Sequence, residues 1–328
     1  MASEPDLTRV REGARRALAE LDGLDQRWRD TANPDLRTML GHIGRRKSAQ
    51  TWRMLQWQSY PAPNGAVDIP PPSSTARNRD FRPYSDGPAP VSPIDGVAVI
   101  SKRQVTPELV IFRVERPEGF AFEPGQSVKV GLGDIRRSFS LVSAPHEPYL
   151  EFFVEQVPGG KMSERLRQVT VGDPVTLGMP KGGLSFNTGF KDHLMVATVT
   201  GINPFISILR DHIHRGAHLG QSGHRIHVMH GASYQQEFGY RRELEAMAAS
   251  HPDTLRYTPT VSRPAEAGNE DWTGQTGRVD TLVRDALERD GRTPDNTLVY
   301  ACGHSGMLDS VAEQVRPLGY RLVTENYD

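Results

Sequence analysis

The segment RRSFSLVSAP, residues 136–145, has the two-residue alternation of a half-buried strand, yet it begins with two cations. Arg137 and Phe139 fall on one face of such a strand, whereas Ser138 and Ser140 fall on the other. A guanidinium beside an aromatic ring suits a ligand that carries both a phosphate group and a flat ring. The segment therefore predicts a strand that borders a ligand site.

Short strand-like segments surround this one between residue 96 and about residue 187. Turn residues separate them at intervals typical of antiparallel sheets, and one helix begins near the run GGKMSERL at 159–166. These features predict an antiparallel β-barrel domain over 96–189. The predicted strands are GVAVISKRQV, LVIFRVERP, QSVKVGL, RSFSLVSA, YLEFFVEQV and PVTLGMP.

Beyond His193 the pattern changes to apolar strands that alternate with helical stretches. LMVATVT, IHVMHGA, LRYTPTVS and TLVYACG are the strands of this part. The alternation is typical of an α/β domain with a parallel sheet, which we place at 190–328 with its boundary near Phe190.

The first 95 residues differ from both domains. Apolar residues recur at helical spacing on either side of a break at TANPDL, so residues 1–58 predict a helical hairpin. Residues 59–95 are rich in proline and predict an extended linker. The hairpin carries the basic run RRK at 45–47, which makes it a candidate for partner docking or oligomerisation, with a solvated helix face as the alternative.

Composition excludes several classes of function. The charged fraction is 24% and the net charge is -1, without the basic excess of a nucleic-acid or membrane-surface binder. The single cysteine, Cys302, excludes an intramolecular disulfide and a cysteine-ligated zinc or iron–sulfur centre, and no metal site is predicted. The sequence has neither a signal-peptide pattern nor an apolar run of the roughly 20 residues that span a membrane. We therefore expect a cytoplasmic protein that is not inserted in a membrane.

Three glycine-containing turns are candidates for ligand contact. GKMS at 160–163 opens a helix whose first amides suit an anion, with a simple capped helix as the alternative. TVTGINPF at 198–205 joins a buried strand to a helix, where an ordinary βα turn is the alternative. YACGHSGM at 300–307 ends a later strand at the same edge, and Cys302 there is either a contact for a flat ligand or a buried structural thiol.

Taken in order, these motifs resemble a known family. R-x-F-S at 137–140, G-x-x-S at 160–163, T-G-I-x-P at 200–204 and C-G-x-x-x-M at 302–307 resemble the ferredoxin–NADP reductase family, especially its bacterial ferredoxin or flavodoxin class. The run LEFFVEQVPGGKMSERL and the tail VTENYD are also similar to that class. The resemblance covers about residues 96–328 and does not extend to the N-terminal region.

The resemblance implies that the barrel holds FAD. Arg137 would neutralise the FAD diphosphate, Ser140 would hydrogen-bond flavin N5, and Phe139 would pack on the ring system where a tyrosine is usual. The second diphosphate contact would be the turn made of Gly160, Lys161, Met162 and Ser163. Further implied contacts with FAD are Ser138, Leu141, Val142, Phe153 and Val154.

The resemblance also places a nicotinamide nucleotide on the α/β domain. Thr200 and Gly201 would face its pyrophosphate and ribose. The sequence departs from the family at Val199, where glycine is frequent, and at Asn203, where alanine is frequent. The implied contacts around the nicotinamide ring are Cys302, Gly303 and Met307.

The choice between NADPH and NADH depends on cations that can bind the 2′-phosphate. Arg263 and Arg278 match two arginine positions of the family, and Ser233 stands where a third is common, so NADPH is favoured with NADH as the alternative. In the tail, Glu325 and Tyr327 lie where the family places a carboxylate and an aromatic against the flavin or its adenine, although a disordered chain end is the alternative. The implied catalytic residues are Ser140, Cys302 and Glu325.

The function implied by the resemblance is hydride transfer from NADPH to FAD, followed by single-electron transfer to a separate ferredoxin or flavodoxin. Such a carrier could feed an oxygenase system. Two alternatives stay open: an NAD(P)H-dependent reductase of a small acceptor such as free flavin or quinone, and a non-catalytic flavin-bound interaction or sensor protein.

Overall fold

The computed structural model describes residues 93–219 and 223–327. The predicted helical hairpin over 1–58 and nearly all of the predicted linker over 59–95 lie outside the described residues. No helix within 93–219 and 223–327 is both long enough and apolar enough to cross a membrane.

The first domain is a six-stranded antiparallel sheet with the strand order β4-β3-β6-β1-β2-β5. Its edge strands β4 and β5 approach each other, so the sheet curls into a nearly closed barrel and the predicted fold class is confirmed. One helix, α1, spans Lys161–Gln168 and packs on β3 and β4. The strands are β1 Ile94–Gln104, β2 Leu109–Glu115, β3 Ser127–Leu132, β4 Ile135–Ser140, β5 Tyr149–Glu155 and β6 Pro174–Leu177.

The barrel core follows from the alternation of apolar residues along its strands. Val110, Phe112 and Val114 of β2 are buried on the inner face, where Phe112 stacks on Phe152 of β5 with ring centroids 5.1 Å apart. Burying such rings and branched side chains on one face is what makes a sheet of short strands stable.

The second domain is a six-stranded sheet with the order β10-β9-β8-β7-β11-β12, and every neighbouring pair is parallel. Its central strands are buried on both faces by helices, which explains their continuous apolar runs. The strands are β7 Asp192–Thr198, β8 Arg225–Ala232, β9 Leu255–Val261, β10 Gln275–Thr276, β11 Thr297–Gly303 and β12 Arg321–Asn326. The helices are α2 Asn203–Leu219, α3 Arg241–Ser250, α4 Val283–Arg289 and α5 Ser305–Val315.

Two elements differ from the sequence-based expectation. Strand β4 begins at Ile135 and ends at Ser140, whereas the predicted strand continued through residue 144. The tail is not a disordered chain end, because Arg321–Asn326 forms β12 and pairs in parallel with β11. This edge strand brings the C-terminal residues to the carboxyl ends of β7 and β11.

Candidate functional site

The side chains of Ser140 and Glu325 meet although 185 residues separate them in sequence. Ser140 is the last residue of β4, and its Oγ donates a hydrogen bond to Oε1 of Glu325 on β12 at 3.1 Å. The other carboxylate oxygen, Oε2, is buried and has no hydrogen-bond partner among the described residues. Burial raises the pKa of Glu325, and the hydrogen bond from Ser140 only partly opposes the rise. The contact therefore brings a carboxyl group that can hold a proton to the end of a barrel strand.

Cys302 lies beside Glu325 in the parallel register of β11 and β12. Its side chain is buried, and burial together with the neighbouring carboxylate raises the pKa of the thiol well above its ordinary value. A thiol in this environment stays protonated at neutral pH and is not a nucleophile. Cys302 therefore contributes shape and polarisability at this edge rather than covalent chemistry.

Gly303 ends β11 at a point where space is limiting. A Cβ at this position would lie 2.4 Å from Cε of Met307 and 2.5 Å from Oγ1 of Thr198, so a larger residue would displace one of them. Met307 is fully buried and packs against Gly303. Thr198 Oγ1 also lies 3.0 Å from the hydroxyl of Tyr327, which fixes the tail beside the same turn.

The turn after β7 packs closely against β11 at Gly201 and has an unusual backbone conformation at Val199. A Cβ on Gly201 would lie 2.2 Å from the carbonyl oxygen of Cys302, so glycine is required for this approach. Val199 has φ 41, and it is the one non-glycine residue of the described chain with positive φ. Thr200 lies between them and is partly exposed. The predicted dinucleotide turn is therefore packed against the strand that carries the predicted nicotinamide contacts.

Asn203 begins α2 directly after this turn and is buried. Its Nδ2 donates to the carbonyl oxygen of Phe153 at 2.7 Å, which ties the turn to the barrel. Its Oδ1 is buried and has no hydrogen-bond partner in the part of the chain that the structure describes. Buried acceptors are normally hydrogen-bonded, so this oxygen indicates a place at the turn for a hydrogen-bond donor from a bound ligand.

The predicted diphosphate contacts come from β4 and α1. The side chain of Arg137 is exposed, and its Nη1 donates to the carbonyl oxygen of Arg136 at 2.9 Å, with no carboxylate partner among the described residues. The first turn of α1 begins after Gly160, which provides no side-chain cap, and Ser163 is buried against it. A cation and uncapped helix amides suit a diphosphate. Lys161 is exposed at the same turn.

Lys102 fixes the position of α1, a role that the sequence analysis missed. Its ammonium donates to the carbonyl oxygens of Leu166 at 2.6 Å, Arg167 at 3.0 Å and Val169 at 2.8 Å. These acceptors lie at the C-terminal end of α1, where carbonyl groups lack partners within the helix. No sequence spacing links Lys102 to them, because the contact depends on how α1 crosses the barrel.

The predicted flavin contacts within the barrel divide into two groups. Phe139 is half-buried and packs near Phe152, with ring centroids 6.4 Å apart, and Ser138 is exposed on β4. The remaining side chains are buried in the barrel core or against the α/β domain. These residues are Leu141, Val142, Met162, Phe153 and Val154.

The two predicted cations for a 2′-phosphate lie at the carboxyl edge of the parallel sheet, and both are exposed. Each has an acidic neighbour. Nη1 of Arg263 lies 3.5 Å from Oε2 of Glu266, and Nε of Arg278 lies 3.2 Å from Oδ1 of Asp280. Ser233, at the third position, has no charge to offer.

A buried ionic network joins the two domains and was not predicted. Arg210 of α2 lies 3.1 Å from Glu147 and 3.1 Å from Glu151 of the barrel, and 2.7 Å from Glu243 of α3. Ser207 adds a hydrogen bond from its Oγ to the carbonyl oxygen of Ser143 at 2.7 Å. These contacts hold the barrel against the sheet and thereby fix the distance between Ser140 and β12.

The arrangement fits FAD and a nicotinamide nucleotide. Arg137 and the first turn of α1 would hold the diphosphate of FAD, and Ser140 ends the same strand three residues further on. Glu325 Oε2 is buried without a hydrogen-bond partner among the described residues, and Gly201 and Gly303 pack closely at the same sheet edge. Among the described residues, no cluster of histidine, cysteine, aspartate and glutamate side chains has the geometry to hold a metal ion.

Comparison with known proteins matches separate parts of the chain to two family models. The family model described as oxidoreductase FAD-binding domain matches residues 96–186, and the one described as oxidoreductase NAD-binding domain matches 195–313. Ferredoxin--NADP reductase B of Sorangium cellulosum is 32% identical over 228 residues, which are 66% of this chain and 89% of that protein. Flavodoxin/ferredoxin--NADP reductase of Rhodobacter capsulatus is 32% identical over 191 residues, 54% of this chain and 68% of that protein.

A solved structure extends the similarity to three dimensions. The ferredoxin NADP+ reductase from Neisseria gonorrhoeae, crystallised with bound FAD and NADP, has a TM-score of 0.62 and 25% sequence identity, covering 72% of this chain and 99% of that chain. The barrel binds FAD and the parallel sheet binds a nicotinamide nucleotide, which makes this protein an oxidoreductase. With both domains present in this order, the chain belongs to the ferredoxin–NADP reductase family.

Proposed function

We propose that this protein passes a hydride from NADPH to FAD and then delivers single electrons to a separate ferredoxin or flavodoxin, which could serve an oxygenase. The observation that carries the proposal is the contact between Ser140 and Glu325, because it places a proton-handling pair where the barrel meets the sheet. FAD, when bound, can accept two electrons together and release them one at a time.

The roles of the residues follow from their contacts. The Ser140 hydroxyl would orient the reacting edge of the flavin and exchange a proton through its Oγ with Oε1 of Glu325. Glu325 has a raised pKa, so its carboxyl can hold that proton nearer to neutral pH than an ordinary glutamate can. The nicotinamide ring would lie beside Cys302 and Gly303, and the close packing of Gly201 on the Cys302 carbonyl would hold this edge in place.

The domain contacts supply the alignment that hydride transfer needs. The Arg210 network and the Asn203 hydrogen bond hold the nucleotide turn at a fixed place relative to the barrel. The main contribution of the protein to this reaction is to hold the two rings in the relative position that hydride transfer requires.

The test is anaerobic mixing of the purified FAD-loaded protein with NADPH or with NADH, followed by flavin absorbance. We expect reduction by both, faster with NADPH, and then reoxidation by added ferredoxin or flavodoxin. Absence of reduction by either nucleotide would contradict the enzyme assignment. Reduction without turnover of either carrier protein, but with turnover of free flavin or quinone, would instead identify a small-acceptor reductase.

A further inference from the structure

The carboxylate of Glu266 engages two donors at the predicted 2′-phosphate position. Its Oε2 accepts a hydrogen bond from the hydroxyl of Tyr234, and it lies 3.5 Å from Nη1 of Arg263. The same Nη1 donates to the Tyr234 hydroxyl at 3.2 Å, and the guanidinium lies over the Tyr234 ring, 5.6 Å from its centroid. Guanidinium, phenol and carboxylate therefore form one closed cluster.

The backbone places this cluster beside the other predicted cation. The amide of Ser262 donates to the carbonyl oxygen of Ala232 at 2.9 Å, which sets the residue after it, Arg263, next to the end of β8. The amide of Gly277 donates to the carbonyl oxygen of Val261 at 2.9 Å, so Arg278 follows at the same sheet edge. Arg263 and Arg278 therefore follow neighbouring strands at one edge of the sheet.

Carboxylates offset the positive charge of both arginines. Arg278 pairs with Asp280 at 3.2 Å, and Arg263 pairs with Glu266. In place of a third cation, Ser233 donates its amide to Oε2 of Glu237 at 2.7 Å. These described residues together carry no excess of positive charge to attract a phosphate with nearly two negative charges.

We propose that Glu266 determines nucleotide selectivity by competing with the 2′-phosphate of NADPH for Arg263 and Tyr234. A 2′-phosphate needs the same two donors and would be repelled by the carboxylate beside them. The ribose 2′-hydroxyl of NADH, by contrast, can donate to a carboxylate. Glu266 therefore keeps the discrimination between NADPH and NADH small. This inference rests on the proposed function, since it concerns the nucleotide that reduces the flavin.

The test is equilibrium binding of NADP+ and NAD+ to the FAD-loaded protein by calorimetry, with 2′-AMP as a minimal probe of the phosphate position. The variant is Glu266→Gln, which keeps the shape of the side chain and removes its charge. The matched control is Asp271→Asn, because Asp271 lies exposed in the same loop and contacts neither Arg263 nor Tyr234 among the described residues. Both variants alter exposed residues, so both should fold.

We expect Glu266→Gln to bind NADP+ and 2′-AMP at least about three-fold more tightly, and NAD+ no more tightly than the parent protein does. The gain should shrink at high salt, since it is a charge effect at an exposed position. Equal changes for NADP+ and NAD+, no change, or the same gain from Asp271→Asn would overturn the role of Glu266 alone. Failure of the parent protein and both variants to bind either dinucleotide would overturn the proposed function as well.

Discussion

Nε2 of His230 donates a hydrogen bond to the carbonyl oxygen of Val199 at 2.9 Å, and Val199 has the positive φ of 41. His230 is fully buried, and burial lowers the pKa of its imidazole to about 4, so the ring is neutral at physiological pH. With Nε2 protonated, Nδ1 is left to accept from the hydroxyl of Tyr257 at 3.3 Å. A buried histidine therefore holds a β-branched residue in a backbone conformation that glycine adopts more easily.

At position 199 the glycine variant should be more stable than the alanine variant, which is the reverse of the usual order. Val199→Gly and Val199→Ala remove the same two methyl groups, and they differ only in the Cβ that suffers at positive φ. We expect Val199→Gly to be the more stable variant by about 1 kcal/mol, whereas alanine exceeds glycine at ordinary positions by a similar amount. Urea unfolding of both variants measures the difference. Greater stability of the alanine variant would show that the turn relaxes to negative φ.

From the sequence, Val199 could be recognised only as a departure from a family that frequently has glycine at this position. The strain itself and the His230 contact could not, because 31 residues separate the two partners and no spacing rule joins them. The same limit applies to the pair of Ser140 and Glu325. The alternation in RRSFSLVSAP predicts that Ser140 points away from Arg137 and Phe139.

In the structure β4 ends at Ser140, whose hydroxyl contacts Glu325 of β12, while Phe139 packs toward the barrel interior and Arg137 stays exposed on the strand. The two sheets could be predicted because the spacing of apolar residues along each strand is a local property of the sequence. The contacts between the domains could not be predicted, since the carboxylate partners of Arg210 lie in two distant segments, at 147–151 and at Glu243.

Loss of the Ser140 hydroxyl should slow flavin reduction. Ser140→Ala removes the donor to Glu325, and we expect the rate of reduction by NADPH to fall by about 10²-fold, as for other single positioned donors. Glu325→Gln keeps the shape of the side chain but cannot exchange the proton, so it should also slow the reaction and remove its pH dependence in the range set by the raised pKa of Glu325. Anaerobic stopped-flow absorbance measures both rates.

Ser127→Ala is the matched control for Ser140→Ala. Ser127 is opposite Ser140 in the register of β3 and β4, and its hydroxyl donates to the carbonyl oxygen of Lys181 at 3.1 Å rather than to Glu325. Its rate of flavin reduction should stay within about two-fold of the parent rate, the size of an ordinary surface change. A parental rate in Ser140→Ala would remove Ser140 from the proposed catalytic residues.

Arg210 should be among the most sensitive positions for stability. Arg210→Met leaves Glu147, Glu151 and Glu243 close together without their shared cation, and breaking a buried ion pair in this way costs about 3–5 kcal/mol. The control is Arg165→Met, which breaks an exposed pair with Asp134 and should cost less than about 1 kcal/mol. Denaturant unfolding gives both values, and similar losses for the two variants would contradict a special role for the buried network.

Stability should fall as the pH drops from about 6.5 to about 4, because four histidines are held neutral by burial. Burial lowers the pKa of His193 to about 3 and those of His212, His227 and His230 to about 4, from an ordinary value of 6.5. Within this window the unfolded chain binds more protons than the folded one, so protonation favours unfolding. The stabilisation is complete above pH 6.5, and each fully buried histidine contributes a slope of up to about 1.4 kcal/mol per pH unit below it.

The variant His193→Phe/His212→Phe tests the origin of this slope. Both rings pack on Phe186, with ring centroids 4.3 Å and 5.0 Å from it, so phenylalanine conserves the aromatic contacts while removing two titrating groups. Unfolding free energies at several pH values between 7 and 5 should fall less steeply for the variant than for the parent protein. Glu151, whose pKa is lowered because Arg210 and Arg113 outweigh the effect of its burial, would lose stability only at more acidic pH. An unchanged slope between pH 7 and 5 would therefore assign the acid sensitivity to groups other than this histidine pair.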